Sequence, residues 1–228
     1  MIDAKGGSDP AAVAASLRAR FGIATDPAQR GPVPLGRLLD EFNLLHVTLP
    51  RLSRRGIAEY LLGEGIAPGG LTDSGDPDET LAGFIFTTGS DGFVFVGESE
   101  PTASEQGQAP VLKPTPLGRR RYTAAHEFGH FLLHRDRMVA GRWIGDTKET
   151  IQEADGEDTA DMEREADRFA AELLMPAELC RVRAAAFKEA YHVCPLTAFA
   201  YHLASELLVS PEAMRYRLGP GGLGVCDE

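Results

Sequence analysis

His126-Glu127-Phe128-Gly129-His130 sets two imidazoles and a carboxylate at the spacing H-E-x-x-H. In a helix over residues 121–135, 3.6 residues per turn puts the two His about 40° apart around the axis and about 6 Å apart along it, so both rings can reach one ion. Glu127 falls about 60° from His130 on the same side. A carboxylate there stands beside a metal without ligating it, where it can take a proton from a metal-activated water. The chemistry implied is metal-assisted hydrolysis, with Zn2+ the ion that suits such donors.

The third ligand must come from another element, because three residues of one straight helix cannot converge on a tetrahedral ion. His134 lies about 12 Å along the axis from His126 and is assigned to packing or to a role behind the ligands. The longer H-E-x-x-H-x-x-G-x-x-H pattern is absent, since Leu133 and Asp136 occupy its Gly and last His positions. Residues 162–176, MEREADRFAAELLMP, offer Glu163, Glu165, Asp167 and Glu172. With Met162, Ala166, Phe169 and Leu173 as the core face, Glu163 groups with Asp167, and Glu165 with Glu172 on a wetter flank. Glu163 is chosen as the ligand because Asp167, four residues on, can then hold the outer N–H of a ligating His.

The elements that carry these residues follow from the pattern. Val13, Leu17 and Phe21 behind Asp9-Pro10 read as an opening helix, and Leu35, Leu38, Leu39 and Phe42 as a second. Leu45, Val47 and Leu49 alternate, Ile57 to Leu62 is apolar around Glu59, and LAGFIFT and FVFVG flank a turn at 88–92, which together read as a small, mostly antiparallel sheet. Residues 98–118 carry four Pro and read as a long surface loop. Helices are expected over about 120–136, 160–175, 177–190, 196–208 and 211–218. Seven acids between Asp146 and Asp161 against Lys148 read as a solvated loop, or more sharply as a lid near a cationic site.

The 228 residues allow one domain, or one with a small appendage, and 43% hydrophobic and 25% charged residues make a packed core. A net charge of −11 makes nucleic acid and anionic lipid poor partners. No stretch is apolar for the roughly 18 residues a bilayer requires, and the first twenty residues do not read as a signal peptide. Three cysteines allow at most one bridge, so free thiols in a reducing, cytoplasmic setting are expected.

GRRRYTAAHEFGHFLLH followed by EREADRFAAELLMP resembles the ImmA/IrrE family of zinc metallopeptidases, whose pattern leads Arg-x-Arg-aromatic-Thr into H-E-x-x-H and then runs E-x-x-A-N/D-x-F-A to Leu-Met-Pro. By position, the resemblance makes His126, His130 and Glu163 the Zn2+ ligands and Glu127 the general base. It implies an α+β, mostly helical, zincin-like metallopeptidase with a small antiparallel β-sheet. The metallopeptidase domain would span 1–176, with 98–118 and 141–161 as loop insertions longer than the family pattern. HLASELLVSPEAMRYRLGPGGL resembles the family's helix-turn-helix-like tail, making 177–228 a C-terminal helical subdomain. Five basic against six acidic residues there speak against DNA reading.

The resemblance further implies an endopeptidase that cuts a helix-turn-helix transcriptional repressor in a stress, mobile-element or defence response. The alternative is a metal-bound sensor or protein-binding module without peptidase activity. Tyr191, His192, Tyr201 and His202 are candidate oxyanion donors, and a thiolate from Cys180 or Cys194 is a candidate to occupy the water position of the zinc.

Overall fold

The computed structural model describes residues 9–23, 31–73, 75–88, 91–102, 111–114, 116–135, 144–145 and 156–226. Helices α1 (Pro10–Arg20) and α2 (Leu35–Asp40) lead into strand β1 (Leu44–Arg51) and helix α3 (Arg54–Gly63). Strands β2 (Gly83–Thr87), β3 (Gly92–Thr102) and β4 (Val111–Pro114) follow. Next come α4 (Leu117–His134), the two-residue β5 (Ile144–Gly145) and α5 (Gly156–Leu174). The last three helices are α6 (Ala177–Tyr191), α7 (Leu196–Leu207) and α8 (Pro211–Leu218).

β2 and β3 form the expected hairpin, antiparallel from Gly83 opposite Val96 to Thr87 opposite Gly92. β1 lies on the other edge of β3 and runs parallel to it, from Leu44 opposite Gly92 to Arg51 opposite Ser99. The sheet is therefore mixed but mostly antiparallel, as expected, with the β1–β3 pair its parallel exception. The cause is α3, which carries the chain back across the sheet after β1, as a parallel pair requires. Residues 57–62, expected in the sheet, belong to this helix: Ser53 Oγ caps it by accepting from the Gly56 N–H at 3.2 Å. Ile57, Ala58 and Leu61 form its buried face at helical spacing.

Two parts of the Pro-rich stretch, expected as a loop, are strands. β3 runs into it as far as Thr102, and β4 pairs with that end, Ser99 opposite Pro114 through Thr102 opposite Val111. β1 has already ended opposite Ser99, so Pro101 lies where β3 is paired on one side only. β5 pairs antiparallel with β2 at Phe84 and Ile85. Most of the acidic stretch, and with it the lid reading, lies outside the described residues.

Both faces of the sheet are covered, which explains the unbroken apolar run of β2. Ile85, Val94 and Val96 pack with α1, α2, α4 and α5 in one cluster, while Phe84, Phe86 and Phe95 pack with Ile57, Leu61, Leu71 and Leu81 in another. Buried residues of α6, α7 and α8, among them Cys180, Phe199, Leu203 and Met214, belong to the first cluster. A short turn joins α7 to α8: Leu208 takes the left-handed conformation, and Ser210 Oγ caps α8 by accepting from the Ala213 N–H at 3.1 Å. No helix among the described residues is long and apolar enough to cross a membrane.

Glu172 departs most from its expected wet flank. Its side chain is 14% exposed and pairs with Arg18 of α1 and Arg217 of α8, while the Ala177 N–H at the start of α6 donates to its carboxylate at 3.2 Å. Arg18 also donates to the Glu172 carbonyl, and Arg217 Nε to the Met175 carbonyl at 2.9 Å. Four helices thus meet at one carboxylate.

The cysteines differ from expectation too. Cys194 and Cys226 are disulfide-bonded, a pairing less at home in a reducing compartment than free thiols. Cys180 is buried in the helical core with its Sγ 3.8 Å from the Met175 carbonyl, and burial pushes its thiol up to about 11. The structure brings neither sulfur into the group formed by His126, His130 and Glu163: Cys194 is bonded to Cys226, and Cys180 lies in the helical core.

Candidate metal centre

α4 and α5 bring the chemistry together because their contact face is nearly bare. Gly129, an unspecified position of the H-E-x-x-H motif, sits against α5 so closely that a Cβ there would stand 3.0 Å from the Phe169 ring and 3.2 Å from the Ala166 Cα. A larger residue would hold the helices apart. Phe128, next to it, packs edge-on against Phe169 and against Phe42, at centroid distances of 5.8 and 5.3 Å.

Across this contact His126, His130 and Glu163 converge. The two Nε2 atoms are 3.0 Å apart, Glu163 Oε2 is 3.1 Å from His126 Nε2, and Oε1 is 3.2 Å from His130 Nε2. Donors bound tetrahedrally at about 2.05 Å are separated by roughly 3.3 Å, so the two imidazoles and the carboxylate are spaced as three ligands of one small metal ion would be. They form a group able to hold a metal ion.

The partners behind the ligands are in place. His126 Nδ1 is 3.0 Å from Asp167 Oδ1, and the Tyr122 hydroxyl donates to the same oxygen at 3.4 Å and to the Asp167 carbonyl at 3.3 Å. An N–H on Nδ1 leaves Nε2 to face the other donors. His134 is buried behind His130, its Nδ1 3.1 Å from His130 Nδ1 and its Nε2 2.9 Å from Glu165 Oε2. Glu165, passed over as a ligand, thus meets the histidine that stands behind His130. Its residue type was visible in the sequence, but only the crossing of α4 and α5 reveals its partner.

Glu127 is 1% exposed and turns toward the start of β2. A Cβ on Gly83 would stand 2.4 Å from its Oε1 and 2.5 Å from Thr123 Cγ2, so the missing side chain at Gly83 makes the slot the carboxylate fills. Sequence reasoning missed Gly83; a Gly inside a strand run was the available signal of a close approach. We expect Gly83→Ala to push Glu127 out of place and lower any hydrolytic rate about 100-fold with bound metal unchanged. Paired metal analysis and rate measurement check this; a wild-type rate would show that the slot tolerates a methyl group.

The cluster also sets a pH dependence. Burial opposes charging His126, but the hydrogen bonds it donates to Asp167 and Glu163 outweigh it and push its pKa up to about 10. Burial opposes the Glu163 carboxylate as well, and its two His partners hold it well below the usual range. His130 is lowered, chiefly by burial. In the metal-free protein His126 is charged at neutral pH, so a metal must displace its proton. Metal affinity is expected to weaken up to tenfold per unit as pH falls below 10. Calorimetry in two buffers of different ionisation enthalpy should show proton release at pH 7; none would contradict the assigned charge. The stability signs are opposite for the two groups. The raised His126 stabilises the metal-free fold fully below about 6.5, a contribution lost as pH rises through about 10, whereas Glu163 contributes above its unfolded pKa and loses this as pH falls.

The oxyanion candidates sit on α6 and α7. Tyr191 stacks on Phe187 at 4.6 Å, His192 ends α6 in the left-handed conformation, His202 lies 6.4 Å from the Phe199 ring, and Tyr201 is exposed. At the N-terminus of α4, Arg121 donates to the Leu208 carbonyl at 3.1 Å and the Val33 carbonyl at 2.8 Å. A Cβ on Gly118 would meet the Val209 carbonyl carbon at 2.4 Å, so the motif helix is seated directly on the α7–α8 turn.

Two histidines and a glutamate from crossed helices, beside a small mixed sheet, define an α+β protein of the zincin-like class. Residues 112–219 match the peptidase family model described as the IrrE N-terminal-like domain, and this segment, which holds the whole cluster, belongs to the ImmA/IrrE family. No curated protein matches the chain.

Proposed function

We propose that this protein is a zinc-dependent endopeptidase that cuts a specific cytoplasmic protein, a helix-turn-helix transcriptional repressor, in a stress, mobile-element or defence response. The observation that carries the reading is the triangle of His126, His130 and Glu163 donors beside the buried Glu127 on the same helix. Two imidazoles and one carboxylate suit zinc, and three protein ligands are the number a catalytic site uses. Bound there, zinc supplies a polarising charge that lowers the pKa of water to about 7. Asp167 and Tyr122 fix the His126 ring. Glu127 takes the proton of the attacking water and passes it to the leaving amine as the peptide bond breaks. A purely structural metal site would need no carboxylate beside its ligands.

The substrate class rests on the family resemblance. Direct DNA binding is disfavoured by the −11 charge and by the use of basic tail residues inside the protein: Arg217 on Glu172, and Arg183 on Glu206 at 2.8 Å. The test is to purify the full chain, measure zinc per chain, and incubate it with a helix-turn-helix repressor encoded beside its gene. About one zinc and a discrete cut that a chelator blocks are the expected result. An uncut repressor at full zinc loading would overturn the substrate assignment, and absence of zinc would overturn the enzyme.

A further inference from the structure

The hydrogen bonds behind His130 run through His134 to Glu165. Glu165 Oε2 is 2.9 Å from His134 Nε2, and an ionised carboxylate only accepts, so His134 carries its proton on Nε2. In the neutral ring this leaves His134 Nδ1 as an acceptor, 3.1 Å from His130 Nδ1. That acceptor suits a His130 that carries its proton on Nδ1 and keeps its Nε2 lone pair for an ion held with His126 and Glu163. Both rings of this relay are almost fully buried, at 1% and 2% exposure, so bulk water does not substitute for either partner.

We propose that Glu165 and His134 are positioning residues that set the tautomer and ring orientation of His130 for metal binding, as Asp167 and Tyr122 do for His126. The proposal rests on the reading of His126, His130 and Glu163 as a metal centre and adds what makes His130 competent within it. It also explains why α5 carries Glu163 and Glu165 two positions apart: the first faces the two Nε2 atoms, and the second reaches round to His134. Packing alone would ask of His134 only its volume, whereas a relay asks for an acceptor at Nδ1 and an acceptor-only partner at Nε2. These requirements separate experimentally.

Zinc affinity of the full chain, measured by chelator competition, is compared for wild type, His134→Phe, His134→Asn and Glu165→Lys, with thermal melting of the metal-free proteins as the control for folding. His134→Phe keeps the ring volume without the acceptor and should weaken zinc 10- to 100-fold, the usual effect of losing such a partner. His134→Asn places an amide oxygen near the old Nδ1 and should recover most of the affinity despite its smaller volume. Glu165→Lys offers a donor where an acceptor is required, and should weaken zinc as far as His134→Phe does. Nitrogen-15 spectra of labelled His in the metal-free wild type should show His134 protonated on Nε2 and His130 on Nδ1. Wild-type affinity in His134→Phe, equal losses in the Phe and Asn variants, or the opposite tautomer of His134 would each overturn the relay. A wild type that takes up no zinc would sink the metal centre instead, and the spectra would still judge the relay.

Discussion

Glu127→Gln should abolish cleavage and leave zinc in place. The amide matches the carboxylate in size, so it can occupy the slot that Gly83 leaves open, and none of the three converging donors is touched. What it cannot do is take a proton from water and return it to an amine, a contribution worth typically 10²–10⁴ in rate. Single-turnover cleavage of the proposed repressor substrate, with elemental analysis of the same sample, reads both quantities. His126→Ala is the informative contrast, because it removes a donor and should lose zinc as well as activity. Cleavage within tenfold of wild type in Glu127→Gln would remove Glu127 from the reaction and leave the centre without its base.

Glu172→Ala should cost about 3–5 kcal/mol of stability, among the largest losses expected of a single substitution here. The carboxylate pairs with Arg18 and Arg217 and accepts the Ala177 N–H, and its removal leaves two largely buried guanidinium groups facing each other without their anion. For a chain of this size each kcal/mol moves Tm by roughly 2–4 °C, so a fall of about 6–20 °C is expected. Glu172→Gln, which keeps an acceptor but not the charge, should fall between the two. Because α5 carries Glu163, Glu165 and Asp167 as well as Glu172, the Ala variant should also bind zinc more weakly. A Tm within 2 °C of wild type would show that the two Arg find other partners.

The sequence reading and the folded chain agree where the information is local. Spacing along one helix decides that His126 and His130 share a face with Glu127 beside them, and spacing along another groups Glu163 with Asp167; both sets meet in the structure. The hairpin was legible because two apolar runs flank a short turn. Residues 57–62 were misread because a six-residue apolar run fits either a strand or a buried helix, and the capping Ser53 outside the run decides it. The parallel pairing of β1 with β3 depends on how the chain crosses over, which no local pattern encodes.

By itself, then, the sequence determined which side chains could act and which helices carry them, since helical periodicity is a property of the backbone alone. The tertiary structure decided the rest. It set the distance between α4 and α5 through Gly129, the seat of Glu127 through Gly83 on a strand forty residues earlier, and the pairing of Glu165 with His134 and of Glu172 with two Arg. These are contacts between elements remote in sequence. They exist only once apolar burial has brought the helices and the sheet together, and only packing determines which carboxylate of a helix meets which histidine or arginine.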